Sequence, residues 1–313
     1  MRAIQTKLLP LPIALIVGLC ATGYAHASTL YVSNFGNNTI SAIDSAGNVT
    51  TFVTAGAGLN DPIGLAIDPL GDLLVANFLN KNSANGIDAV SSSGTVTPYA
   101  YLNDYPAGIA LDSSGNIYVA NVLGDTVSEV SGPFPSSGAS NINLAASGLP
   151  LLNLPQALAF DSNGNLYVVS ANYNGIAEIS GGNLSSFVTS DLFNAPDGIA
   201  IDTSGNIYVA NGGGTTISKV TPEGDVSTYA TGLENPTGLA FDSAGDLLVA
   251  DSGSNTIQEV APGGGVASLF ASGLDEPQYL VFAQDQSAST PEPAAVGLFC
   301  AGGLALLLRS RRP

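Results

Sequence analysis

The chain has 313 residues, with 25 Asp and Glu against seven Lys and Arg, 37 Gly, 18 Pro, two Cys, no Trp and one His. A formal charge of −18 repels a phosphate backbone and no Lys/Arg cluster lies outside the termini, which excludes nucleic acid as a partner. Only 10% of residues are charged and 45% are hydrophobic, which excludes a polyelectrolyte tail and leaves ample material for a core.

The N-terminus carries Arg2 and Lys7, an apolar run from Leu8 to Cys20, and the small-x-small triplet Ala25-His26-Ala27. This is the pattern of a secretory signal over residues 1–27, cut after Ala27 so that the mature chain begins near Ser28. Cleavage also removes His26. Between Ser28 and Thr290 stand 24 acidic residues, the 25 less Glu292, against Lys81 and Lys219 alone, for a body of about −22. With neither Cys nor His there, the body has no disulfide, no thiol chemistry and no Ser-His-Asp or Cys-His machine.

The body, residues 28–284, is one repeated unit. Pro62, Pro106, Pro155, Pro196, Pro236 and Pro277 are separated by 44, 49, 41, 40 and 41 residues, the period of propeller blades. Each proline opens an apolar run such as Gly198-Ile199-Ala200-Ile201, then a turn, then a second run such as Asn206-Ile207-Tyr208-Val209-Ala210-Asn211, with two further runs after it. These runs are short, rich in Ile, Val, Leu and Tyr, and bounded by Gly, Asn, Asp and Ser, so they predict strands. Thr29 to Val53 supplies three strands with no inner strand before them, and Pro277 to Phe282 supplies an inner strand with nothing after it. One completes the other, which predicts an all-β, six-bladed β-propeller whose ends share a blade and leave no open edge. A segment around Pro133 to Asn141 is predicted as a surface insertion in blade three.

Three sets of residues recur once per blade. The Asp-x-x-Gly turns at Asp68, Asp112, Asp161, Asp202 and Asp242 lack the dense spacing of a calcium loop and read as capped hairpins. Asn34, Asn77, Asn121, Ser170, Asn211 and Asp251, where the second strand ends, read as side chains bonded to turn backbone. Tyr31, Tyr118, Tyr167 and Tyr208 hold one strand position and are expected between blades. Tyr99, Tyr101, Tyr105 and Tyr173 lie outside that register and could form an aromatic rim for a sugar or a protein. Gly212-Gly213-Gly214 and Gly263-Gly264-Gly265 precede no helix and no lysine, so they read as turns.

The combination Pro-x-Gly-Ile-Ala-x-Asp-x-x-Gly-Asn-Ile-Tyr-Val-Ala-Asn resembles the NHL-repeat propellers, with a fainter likeness to the gluconolactonase and streptogramin-lyase propellers, over nearly all of Thr29 to Phe282. Streptogramin-lyase chemistry in that family depends on histidine, which the mature chain lacks. The gluconolactonase likeness implies a divalent cation such as calcium at one mouth of the central channel, held by acidic and Asn side chains where inner strands begin. Asp197 is the sole carboxylate at the residue after each proline, otherwise Ile63, Ala107, Gln156, Thr237 and Gln278. With it, Asn153, Asn194, Asn235, Asp104 and Glu276 just before their inner strands are the implied metal ligands. That family's amino-terminal Glu has no counterpart in Ser28 to Val32, and its general base has no match here.

After a short linker, residues 285–290, the tail of residues 291–313 holds Pro291-Glu292-Pro293, fifteen uncharged residues from Ala294 to Leu308, and Arg309, Arg311 and Arg312. A helix over that run reaches about 22 Å, short of the ~30 Å hydrocarbon core. The tail resembles the PEP-CTERM sorting signal of Gram-negative bacteria that make extracellular polysaccharide. The resemblance implies transient membrane insertion, an exosortase-type processing enzyme as partner, and delivery to the cell surface or beyond; a plain tail anchor is the alternative. Together these features predict an exported binding or scaffold module that meets exopolysaccharide or a secreted protein. The alternative is a metal-dependent, gluconolactonase-like hydrolase with its site at the channel mouth.

Overall fold

The computed structural model describes residues 29–79, 86–102, 104–131, 141–147 and 150–283. The signal segment with Ala25 and Ala27, most of the blade-three insertion, the linker, and the tail with Pro291, Glu292, Pro293, Arg309, Arg311 and Arg312 lie outside these residues. Among the described residues no helix is long and apolar enough to cross a membrane, and helical structure is confined to a 3-10 turn, Ser252–Ser254.

Six antiparallel sheets form the ring. Blade one pairs β25 (Pro277–Phe282) with β1 (Leu30–Asn34), followed by β2 (Thr39–Ile43) and β3 (Val49–Val53). The C-terminal strand is thus the innermost strand of the first blade, in the register Leu30 to Phe282 and Val32 to Leu280 that closes the ring. Blade two is β4 (Pro62–Ile67), β5 (Leu73–Asn77), β6 (Gly86–Val90) and β7 (Val96–Tyr101). Blade three is β8 (Pro106–Leu111), β9 (Ile117–Asn121), β10 (Thr126–Ser131) and β11 (Asn141–Ser147). Blade four is β12 (Pro155–Phe160), β13 (Leu166–Ser170), β14 (Gly175–Ser180) and β15 (Asn183–Thr189). Blade five is β16 (Pro196–Ile201), β17 (Ile207–Asn211), β18 (Ile217–Val220) and β19 (Val226–Thr231). Blade six is β20 (Pro236–Phe241), β21 (Leu247–Asp251), β22 (Thr256–Val260) and β24 (Ser268–Ser272). The four-strand expectation is exceeded once: Gly265-Val266, starting at the last residue of the second glycine run, forms a two-residue strand, β23, that pairs in parallel with β19 of the neighbouring blade.

Each blade is covered on both faces, so the apolar residues form inter-blade clusters. Leu30, Val32 and Ile43 of blade one meet Leu248, Ala250 and Ile257 of blade six, and Val169 and Ile176 of blade four meet Ile207 and Val209 of blade five. The four in-register tyrosines sit in or against these clusters, as their spacing predicts. Tyr118 stands edge-on to Phe160 of the next blade at 5.1 Å, and Tyr208 edge-on to Phe241 at 5.0 Å. Around the channel the inner strands pack too closely for side chains between them. A Cβ on Gly198 would fall on the carbonyl oxygen of Thr237 in the adjacent inner strand, so the residue two after the proline must be small wherever it points at its neighbour.

Hydrogen bonds explain the two polar repeats. In each Asp-x-x-Gly turn the carboxylate accepts backbone N–H groups two and four residues on: Asp202 takes those of Ser204 and Asn206, each at 2.9 Å, and the Asn206 side chain at 2.7 Å. The ring at the second strand ends is fully buried. Asn211 accepts the N–H of Asn194 at 3.2 Å and donates to Thr216 and Ser218, both at 3.0 Å. Asn77, Asp251 and Asn34 likewise receive the N–H groups of Asn60, Glu234 and Asp275. These four side chains stitch the lead-in loops of their blades, whereas Asn121 Oδ1 and Ser170 Oγ are buried with no hydrogen-bond partner among the described residues.

A further repeat escapes inspection by type alone. Asn38, Asp125, Asn174 and Asn255 each lie four residues after a ring member, all with positive φ. Their side-chain oxygens accept the N–H of Asp61, Leu154, Ala195 and Glu276, the residue before the next blade's proline. That pre-proline residue has positive φ in all six blades, from 42° at Ala195 to 59° at Asn235. A non-glycine residue in this region is strained; in four blades the Asx clip from the preceding blade holds it there, and the Asn235 N–H is taken instead by the Gly214 carbonyl at 3.3 Å.

Candidate functional site

Inner strands start and second strands end at the same mouth of the channel, so this face gathers one residue of each kind per blade. The position after the buried ring reads Phe35, Phe78, Val122, Ala171, Gly212 and Ser252 round the mouth. Blades one to three therefore present an apolar arc, and blades four to six an arc of small residues. Against the large arc lies a cavity of about 580 Å³, walled by Phe35, Ile63, Phe78 and Val122 and faced by the amides of Gln156, Gln278, Asn235 and Asn255 and the carboxylate of Glu276. An apolar wall with a few convergent polar groups is the general form of a small-molecule site.

Asp197 occupies, on blade five, the position at which Ile63, Gln156 and Gln278 line this cavity. Gly212 makes room for it: a Cβ there would stand 3.0 Å from the Asp197 Cβ and 3.1 Å from its Oδ2. Burial pushes its pKa up to about 7, with no donor among the described residues to draw it back. At the far end of the same strand Asp202 shows the opposite balance. Burial raises its pKa, but the Asn206 side chain, the Asn206 and Ser204 N–H groups and the Tyr208 hydroxyl outweigh burial and hold it below the ordinary value.

Directly beneath the mouth runs Tyr279, at the position that is Gly or Ala in the other five inner strands. Its hydroxyl lies 3.2 Å from the Gln156 carbonyl oxygen on blade four and 3.1 Å from that of Asp197 on blade five. Burial, and then the charge of Asp197, raise the phenol well above its usual pKa, so it stays a donor. The period places Tyr279 on the ring-closing strand, but a sequence says nothing about a side chain crossing the bore.

Asn235 and Glu276 line the cavity. Asn194 donates to the Gly213 carbonyl at 2.7 Å, Asn153 accepts from the Asn172 side chain at 3.2 Å, and Asp104 is exposed over Gly124. The oxygen-rich set is thus divided between the cavity, the bore and the loops, and the described residues contain no group of three or more His, Cys, Asp or Glu side chains disposed to hold a metal. Asp104, Asp197 and Glu276, the carboxylates among the residues that the gluconolactonase likeness implies, form no such group. Of the tyrosines outside the register, Tyr105 packs on Phe78 at 5.4 Å, Tyr173 bonds Ser186 and Tyr101 is exposed on an outer strand, so they form no shared rim.

Comparison with known proteins agrees with this architecture. Residues 176–253 match the family described as the SMP-30/gluconolactonase/LRE-like region. None of the curated proteins matches the chain in sequence. Among solved structures, virginiamycin B lyase from Staphylococcus aureus is 18% identical with a TM-score of 0.60, over 82% of this chain and 87% of that one. A chain of the nidogen/laminin complex is 19% identical with a TM-score of 0.66, over 82% and 98%. A gluconolactonase from Xanthomonas campestris is 18% identical with a TM-score of 0.58, over 71% and 78%. At these identities the likeness is one of fold.

Proposed function

We propose that the channel mouth is a small-molecule site and that its reaction is hydrolysis of a cyclic ester, as in the gluconolactonase-like proteins. The observation that carries this reading is the Asp197 carboxyl, with a pKa of about 7 and no hydrogen-bond donor among the described residues, at the strand position whose counterparts Ile63, Gln156 and Gln278 line a cavity of about 580 Å³. A base poised near neutrality is half ionised at working pH and still basic enough to take a proton. The family match over residues 176–253, which include Asp197 and Gly212, supports the same reaction class.

The step balances without a further reactant. Asp197 takes a proton from a water whose oxygen bonds to the ester carbon, the ring C–O bond breaks, and the proton passes to the departing ring oxygen, giving a hydroxy acid. Of the amides facing the cavity, that of Gln278 already donates to Ser252 and to the Glu276 carbonyl, so Gln156 is the neutral donor best suited to the carbonyl oxygen as it gains charge. Phe35 and Phe78 offer flat apolar surfaces to the ring's C–H face. The test is turnover of a lactone panel beginning with glucono-1,5-lactone. Wild type should exceed the spontaneous rate, and Asp197→Asn should lose about 100-fold or more. Equal rates in the two would remove the hydrolase.

A second reading keeps the site and drops the reaction: an exported module that binds a sugar ring at the mouth, delivered to the surface by its signal and sorting tail. The undivided apolar arc of Phe35, Phe78 and Val122 favours it, because that arc needs no chemistry to hold a ligand. Binding of gluconate or glucose without lactone turnover is its distinguishing result. Intact-mass measurement of exported protein tests the sorting signal, which requires loss of the segment from about residue 294 onward.

A further inference from the structure

We infer that Tyr279 is a strut that shuts the channel beneath the mouth, turning the cavity into a blind pocket that a ligand enters and leaves by one opening, and that it positions the Gln156 and Asp197 segments. The inference rests on the reading of the mouth as the site, but not on which reaction occurs there.

Three observations carry it. The inner strands contact one another in the closed order β25, β4, β8, β12, β16, β20, so blade one stands across the bore from blade four. Tyr279 leaves blade one and ends between carbonyls of blades four and five, which only a side chain spanning the bore can do. On the way it packs against the apolar clusters of both sides, the one around Leu65 and Val75 and the one around Ile199 and Val209. The matching positions are Gly64, Gly108, Ala157, Gly198 and Gly238, none of which can reach across.

The hydroxyl also fulfils a need. The inner strands bulge between the proline and the residue two after it, at Pro155/Ala157 and Pro196/Gly198, so the carbonyls of Gln156 and Asp197 fall where the ladder is interrupted. A buried carbonyl without a donor is costly. The phenol has one proton, which one carbonyl takes or the two share, and in either case it ties the backbone that carries the Gln156 and Asp197 side chains to blade one. Because Tyr279 lies on the strand that closes the ring, closure and site geometry are tied through a single residue.

The experiment compares Tyr279→Gly, which restores the glycine of the repeat, with Tyr279→Phe, which keeps the ring and removes the hydroxyl, by crystal structures of the full protein and by KM and kcat for glucono-1,5-lactone. In Tyr279→Gly a file of ordered water should run past the Gln156 and Asp197 carbonyls, and KM should rise about tenfold or more. In Tyr279→Phe the bore should stay shut, a water should take the place of the hydroxyl at those carbonyls, and KM should rise about threefold with little change in kcat. A bore that stays dry and closed in Tyr279→Gly overturns the strut. If that variant fails to fold, an unmoved Gln156 and Asp197 backbone with unchanged carbonyl partners in Tyr279→Phe overturns the positioning role. Should wild type turn over no lactone, the hydrolase reading falls while the two crystal structures still decide this one.

Discussion

Strand β16 carries an aspartate near each end, and the two behave in opposite ways. Asp202, at the outer turn, accepts two backbone N–H groups, an amide and a phenol, and its pKa is held below the ordinary value despite partial burial. Asp197, at the channel, has no donor among the described residues, and burial lifts it to about 7. Donors, rather than depth alone, separate a structural carboxylate from one free to exchange a proton. The same contrast divides the molecule: the outer-turn carboxylates and the ring members Asn34, Asn77, Asn211 and Asp251 have their side chains bonded, and Asp197 at the mouth stays open.

The contrast predicts how the molecule should fail. Asn211→Ala removes three hydrogen bonds from a fully buried side chain and strands their partners, so it should cost about 3 kcal/mol in chemical denaturation; a cost below about 1 kcal/mol breaks the claim that this ring stitches the blades. Asp202→Ala should cost about 2 kcal/mol at neutral pH. With its folded pKa lowered, the stabilisation from Asp202 is complete above the unfolded value near 3.9 and lost as pH falls through the folded pKa, so the mutant and wild type should converge in acid.

Asp197→Asn should act in the other direction and more weakly. A raised folded pKa means that ionisation opposes the fold, by nothing below pH ~4, increasingly between there and pH 7, and fully above. The variant should therefore match wild type near pH 4 and exceed it by roughly 1–2 kcal/mol at pH 8, less than the ~4 kcal/mol of a dry site because channel water screens the charge. A variant less stable than wild type at pH 8 would mean that Asp197 has a partner. The smallest expected effect is that of calcium, manganese or zinc, which should move the melting temperature by less than about 1 °C at ligand levels that saturate ordinary sites. A rise of several degrees that Asp197→Ala abolishes would place a cation at the mouth.

Much of this was legible in the residues. Six prolines at a blade-like period, a chain end short of three strands and another short of one were enough for a closed ring, because strand period and edge closure are local and topological constraints. The outer-turn aspartates and the Asx ring were readable for the same reason: their partners lie within a few residues or at a fixed offset. The clips from Asn38, Asp125, Asn174 and Asn255 carried a signal, a constant spacing of four from the ring, but their partners sit in the next blade. Tyr279 is a bulky residue in a glycine position of the repeat, but its direction across the bore depends on packing that no spacing encodes. The oxygen ligands implied by resemblance divided by their offset from the proline: Asn235 and Glu276, one before it, line the cavity, whereas Asn194 and Asn153, two before it, bond within their own loops.

The pH dependence of kcat/KM for glucono-1,5-lactone, corrected for spontaneous opening, tests the central claim most directly. The account predicts a rate that climbs with pH to half its plateau near 7, as Asp197 loses its proton, and that vanishes in Asp197→Asn. A flat profile, or one that Asp197→Asn leaves in place, would contradict it.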